Sequence, residues 1–162
     1  MDRSMTLNLK PYENEIHGVT EKSSRFLKSH GFSNETIQSQ LTVIEELIKN
    51  GLSYGKFNPS AKMMVKIQLE ANAITVEVSS PVGESACNRL IELDKMIQWM
   101  RGYQDPYEAY LKKLNENSNR SPDEKSNGLG LVKAAYEGKA ILDFVVNEDN
   151  ILNVSAVRYL ED

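Results

Sequence analysis

The sequence predicts an α/β fold, a two-layer sandwich with helices on one face of a mixed, mostly antiparallel sheet. Three observations point there. Strand-like segments come in pairs separated by short turns, as hairpins do. Within them apolar and polar residues alternate, so each strand needs only one apolar face. Helical spacings fall between the strand pairs, which supplies a second layer to cover that face.

Taken in order, Met5, Leu7 and Leu9 alternate with Thr6, Asn8 and Lys10 and form a first strand closed by Pro11. Residues 12–30 are polar and weakly helical, with Ile16, Val19, Phe26 and Leu27 as the apolar side and Gly31 suited to a helix C-terminus. Ser33 or Asn34 is an N-cap for the helix that follows over 34–54. There Ile37, Leu41, Ile44 and Ile48 recur at helical spacing, so one face is built for burial. Gly51, Gly55, Asn58 and Pro59 mark its end and the loop beyond. Met63, Val65, Ile67 and Leu69, then Ile74, Val76 and Val78, alternate on either side of Ala71-Asn72 and read as a hairpin.

Residues 84–127 carry no strand signal. Leu90, Leu93, Ile97 and Met100 have helical spacing. A second helix starts at Asp105-Pro106, a cap residue followed by proline, with Tyr107, Tyr110, Leu111 and Leu114 expected on its apolar side. The run from Asn115 to Asn127 is polar and reads as a loop. Gly128-Leu129-Gly130-Leu131 opens a short helix to about Glu137, closed by Gly138. The last strands, 140–147 and 151–159, pair across Glu148-Asp149-Asn150.

Composition narrows the function. The chain of 162 residues carries 19 basic and 23 acidic side chains, net −4, and suits a single domain. No basic tract exceeds one Lys-Lys pair, which argues against nucleic acid as the main partner. Cys87 is the only cysteine, so there is no internal disulfide, and two histidines leave little for a zinc site. No run nears the ~18 apolar residues of a membrane span, and Met1 to Leu9 has no signal-like apolar region. A reducing, cytoplasmic location is expected.

Two constellations could carry chemistry. Glu46 and Asn50 are four apart and share a helix face opposite the apolar stripe. A carboxylate beside an amide oxygen suits Mg²⁺, which takes few protein oxygens and keeps waters. The same pair also suits an ordinary solvated face. In Asn127-Gly128-Leu129-Gly130-Leu131, glycines at a helix start allow close backbone approach to phosphate, or simply a tight entry turn. The aromatic group Trp99, Tyr103, Tyr107 and Tyr110 fits either a satellite core or a partner-docking surface. His30 reads as a helix-end residue.

In this order the two constellations resemble the GHKL (histidine-kinase-like) ATPase superfamily, most nearly its small anti-sigma-type serine kinases and regulators. Leu41 to Gly55 is similar to the family's N box, an E-x-x-x-N helix, and Asn127 to Leu131 to its second glycine box. The resemblance covers roughly residues 30–160 and implies the Bergerat-type ATPase fold. It implies Glu46 as the base or water-positioning carboxylate, Asn50 as ligand to Mg²⁺ and nucleotide, and Gly128 and Gly130 as phosphate-loop glycines. Residues 84–127 would be a lid-like helical insert within one domain of residues 1–162.

At the family's first glycine box, D-x-G-x-G, this chain has Ser79-Ser80-Pro81-Val82-Gly83 and lacks the adenine-contacting aspartate. Losing a charge-assisted hydrogen bond worth ~1.5–3 kcal/mol weakens adenine binding roughly ten- to a hundredfold. A hydroxyl of Ser79 or Ser80 offers part of that back, because it accepts as well as donates, and Gly83 alone remains of the glycines. The implied cofactor is therefore Mg-ATP, held weakly. The implied function is a bacterial regulatory switch protein that binds a signalling partner, with an active ATP-dependent serine protein kinase as the alternative. A regulatory protein is the expected partner, a homodimer is left open, and no nucleic acid or membrane is expected.

Overall fold

The computed structural model describes residues 2–54, 62–83, 87–103, 105–118 and 128–160. The chain runs β1 (Ser4–Leu9), a 3₁₀ turn (Glu13–Glu15), α1 (Ile16–Ser29), α2 (Asn34–Tyr54), β2 (Met63–Leu69), β3 (Ala73–Pro81), α3 (Cys87–Arg101), α4 (Pro106–Ser118), α5 (Gly128–Gly138), β4 (Ile141–Val146) and β5 (Ile151–Tyr159). The sheet order is β1-β2-β3-β5-β4. Each of its pairings is antiparallel, so the parallel component allowed for in the sequence does not occur among the described residues.

Local chemistry sets the helix boundaries. At the end of α1, Phe32 N–H donates to the Leu27 carbonyl at 3.3 Å and Gly31 N–H to that of Lys28 at 3.0 Å. With Gly31 at φ +85°, this is the paired hydrogen-bond pattern of a Schellman motif, which needs a left-handed residue. Of the two expected caps for α2, Ser33 performs the role: Thr36 N–H donates to its Oγ at 3.2 Å. Asp105 Oδ1 likewise accepts from Tyr107 N–H at 3.0 Å ahead of α4.

Helix α2 packs against both the sheet and α5. Ile37, Ile44 and Ile48 are fully buried, as the stripe requires, whereas Leu41 is only half-buried. Gly51, on the same face, shows what this side meets: a Cβ there would lie 2.6 Å from Met63 Cε in β2 and 3.2 Å from Ser80 Oγ in β3. Val43 and Leu47 are buried too. Gly138 is close enough that a Cβ on it would strike Val43 Cγ2, and Gln40 Nε2 donates to the Gly138 carbonyl at 3.3 Å. A second face of α2 is thus committed to α5.

The expectation for α4 requires correction. Ala109 and Lys113 are the buried positions, while Tyr107 is 43% and Leu111 41% exposed, with Leu114 also exposed. Small Ala109 lets α4 approach α5 closely. Lys113 lays its alkyl stem inward, with Nζ 5.5 Å from the Trp99 ring centre and 3.6 Å from Glu116 Oε2. Apolar spacing misled because a long cationic side chain can cover apolar surface as well as an aliphatic one.

Helix α4 also continues to Ser118, past Asn115 where a loop was expected. The rest of that expected loop, residues 119–127, lies outside the described residues, as do Gly55, Asn58 and Pro59. Trp99 and Tyr103 meet at 4.9 Å between ring centres, and Tyr107 and Tyr110 meet Tyr136 of α5 at 5.2 and 5.4 Å. The aromatic group therefore partly packs and partly remains at the surface. Among the described residues, no helix is long and apolar enough to cross a membrane.

Candidate functional site

The C-terminal half of α2, the first turns of α5 and the far end of β3 converge. Glu46 projects from the α2 face turned toward α5, and the Cα of Gly130 sits directly against its carboxylate: a Cβ there would collide with Oε2. A side chain here would displace the Glu46 carboxylate, so this glycine fixes where that carboxylate rests. Gly128 opens the same helix two residues earlier. Asn127 lies outside the described residues.

Asn50 lies one turn beyond Glu46 on α2 and is only 8% exposed. Its Oδ1 is buried and accepts no hydrogen bond among the described residues. An unsatisfied buried acceptor costs about 1–3 kcal/mol. Among the described residues Ser23 Oγ and Gln40 Oε1 are buried without a partner as well, and Asn50 is the one of the three that stands a helical turn from Glu46. A cation satisfies such an oxygen directly. No group of three or more His, Cys, Asp or Glu that could hold a metal occurs among the described residues.

The two serines part company. Successive strand residues face opposite sides of a sheet. Ser80 lies under Gly51 on the α2 side, whereas Ser79 turns to the other face, where Asn153 Nδ2 donates to its Oγ at 2.9 Å. Of the pair expected near an adenine, the fold leaves only Ser80 on the side of Glu46 and Asn50. Gly83 follows Val82, whose N–H donates to the Asn150 carbonyl at 2.9 Å, so this end of β3 is tied to the β4–β5 turn.

Burial raises the proton affinity of Glu46 above that of an ordinary carboxylate, and nearby Lys49 and Lys133 only partly oppose it. Lys133 Nζ stands 3.9 Å from Glu46 Oε1, while Lys49 is engaged with Glu45 at 3.1 Å. Lys133 was not singled out from sequence. The signal was available, because position 133 lies three residues after Gly130 on the helix that the glycines open.

The raised proton affinity fixes a sign. Because the folded chain holds the Glu46 proton more tightly than the unfolded chain, stability is lost as pH rises through the folded titration range. Glu46→Gln is therefore expected to match the wild type below about pH 3, where the glutamate is neutral in the folded and the unfolded chain alike. At neutral pH and above the variant should be the more stable, as read by denaturant unfolding across pH. A variant that is less stable at neutral pH would mean that the carboxylate is held favourably.

A separate cavity of about 350 Å³ lies among α3, α4, α5 and β4, lined by Ile97, Met100, Tyr103, Val132, Ala135 and Leu142 among others. It includes none of the residues just described.

No family model matches the chain, and no curated protein matches it. Among solved structures it is similar to a chain of the SiaB–SiaC complex from Pseudomonas aeruginosa, with a TM-score of 0.68 and 15% identity over 98% of this chain and 91% of that one. At that identity the likeness concerns the fold, and it spans nearly the whole sandwich.

Proposed function

We propose that this chain is a regulatory switch protein of the histidine-kinase-like ATPase type, which binds a protein partner and takes Mg-ATP weakly where the start of α5 meets the C-terminal half of α2. One observation carries the nucleotide part: the buried, unpartnered Asn50 Oδ1 stands one helical turn from a carboxylate that packs on Gly130. In this reading Asn50 holds the metal, Gly128 and Gly130 let the backbone approach phosphate, and Glu46 orients or deprotonates a nucleophile. The bound Mg-ATP would supply a polarised terminal phosphoryl group. Support for a protein partner comes from the fold shared with a chain solved in a two-protein complex, and from Tyr107, Leu111 and Leu114 left exposed on α4. Residues 84–127 act as the lid in the same reading.

Weakness follows from the adenine end, where Ser80 offers one hydroxyl in place of a carboxylate. The test is thermal unfolding and calorimetry of the full chain with Mg-ATP, with and without a chelator. A site with Kd near ~100 μM stabilises the fold by about 2.7 kcal/mol at a hundredfold excess of ligand. Ser80→Asp is expected to tighten binding by roughly tenfold or more, and Ser79→Asp to leave it unchanged, since that side chain faces away. No stabilisation at 10-mM-order Mg-ATP (about a hundredfold over that Kd) would refute the nucleotide site. Tight binding that ignores the chelator would refute its dependence on metal.

The second reading, an active serine kinase, is favoured by the place of Glu46 against the start of α5, where burial makes it a stronger base than an ordinary carboxylate. Transfer of phosphate from ATP to a partner serine, abolished by Glu46→Ala, would decide for it.

A further inference from the structure

The start of α5 carries one feature beside Glu46 that the glycines and the N box do not explain. Lys133 stands on the face that carries Gly130, and its ammonium is 3.9 Å from Glu46 Oε1. As a stabilising ion pair this is poor. The distance is beyond a hydrogen bond, and the lysine side chain is 40% exposed against 14% for Glu46. Pairs of that kind contribute about 0–1 kcal/mol. The lysine is near the carboxylate without being committed to it. Lys49, by contrast, is held by Glu45 at 3.1 Å.

A polyphosphate at the start of α5 meets a difficulty. Glu46 is the carboxylate that packs on Gly130, so the anion that the glycines admit arrives beside a negative charge. The helix N-terminus offers only about half an elementary charge. An ammonium on a flexible four-carbon stem, already beside Glu46, can turn to the phosphate and offset its charge.

We propose that Lys133 is a specificity-determining residue of this site, giving up its loose pairing with Glu46 to bind a terminal phosphate, so that the site prefers a nucleoside triphosphate to a diphosphate. This rests on the nucleotide reading above.

The experiment is calorimetric titration of the full chain and of Lys133→Met and Lys133→Arg with Mg-ATP, Mg-ADP and Mg-tripolyphosphate. Methionine keeps the stem and removes the charge. In the wild type Mg-ATP is expected to bind more tightly than Mg-ADP. Lys133→Met should lose about ten- to a hundredfold for Mg-ATP and Mg-tripolyphosphate, the range of one charge-assisted contact, and change little for Mg-ADP. Lys133→Arg should retain the preference. The melting temperature without ligand should barely move, which separates loss of the contact from loss of the fold. If the wild type binds and Lys133→Met keeps the same ATP-to-ADP ratio, the assignment of Lys133 is overturned while the nucleotide site stands. If the wild type binds neither Mg-ATP nor Mg-tripolyphosphate, the nucleotide site itself is refuted, and this assignment with it.

Discussion

Ile44→Ala is expected to destabilise the chain by about 2–5 kcal/mol, the usual cost of truncating a fully buried aliphatic side chain and leaving a cavity. Ile44 is completely inaccessible and lies on the apolar stripe of α2. Little around it can collapse into the space, because α2 is held from both faces: Gly51 sits against Met63 and Ser80, and Val43 against Gly138. Leu41→Ala, on the same stripe but half-buried, should cost clearly less. Urea unfolding of the two variants measures the difference. Equal costs would mean that the stripe is buried evenly and that α2 sits differently on the sheet. For a domain whose total stability is of the order of 5–15 kcal/mol, the Ile44 change alone could bring it close to unfolding.

Asn50→Ala should have the largest effect on ligand binding and little on the fold. The Asn50 side chain is buried with an acceptor that finds no partner among the described residues, so its removal discards a cost rather than a bond. Stability without ligand should stay the same or rise slightly. Stabilisation by Mg-ATP should vanish, because the metal loses its amide oxygen and the adenine end has no carboxylate to compensate. Both are read in one set of melts, with and without Mg-ATP. An Asn50→Ala protein that is strongly destabilised without ligand would show that the amide has a structural bond instead. One that still responds fully to Mg-ATP would remove Asn50 from the site.

Most of the fold could be read from alternation and caps because those signals are local. The 71–72 turn and the start of α2 depend on residues a few positions apart and appear where the spacing put them. Gly51, expected to mark the end of α2, lies inside it, because close packing on Met63 and Ser80 uses the missing side chain. The face of α4 could not be read in this way. Tyr107, Leu111 and Leu114 have the spacing of a buried stripe, yet Ala109 and Lys113 fill that role, since the choice depends on how closely α5 approaches and on Trp99 lying ready for the lysine stem. Those partners are distant in sequence, and a weakly amphipathic helix offers more than one face to them.

The candidate site divides along the same line. Sequence alone determined that Glu46 and Asn50 share a face of one helix and that two glycines open another, because both follow from the helical repeat. Only the tertiary structure decided that the two helices meet, setting Gly130 against the Glu46 carboxylate across 84 positions of chain (46 to 130). It also decided that Lys133 stands beside that carboxylate, that Ser80 and not Ser79 faces α2, and that Asn50 Oδ1 is buried without a partner. The physical reason is range: helix and strand periods set direction within an element, whereas the contacts that perturb a carboxylate or orphan an amide come from whatever long-range packing brings alongside.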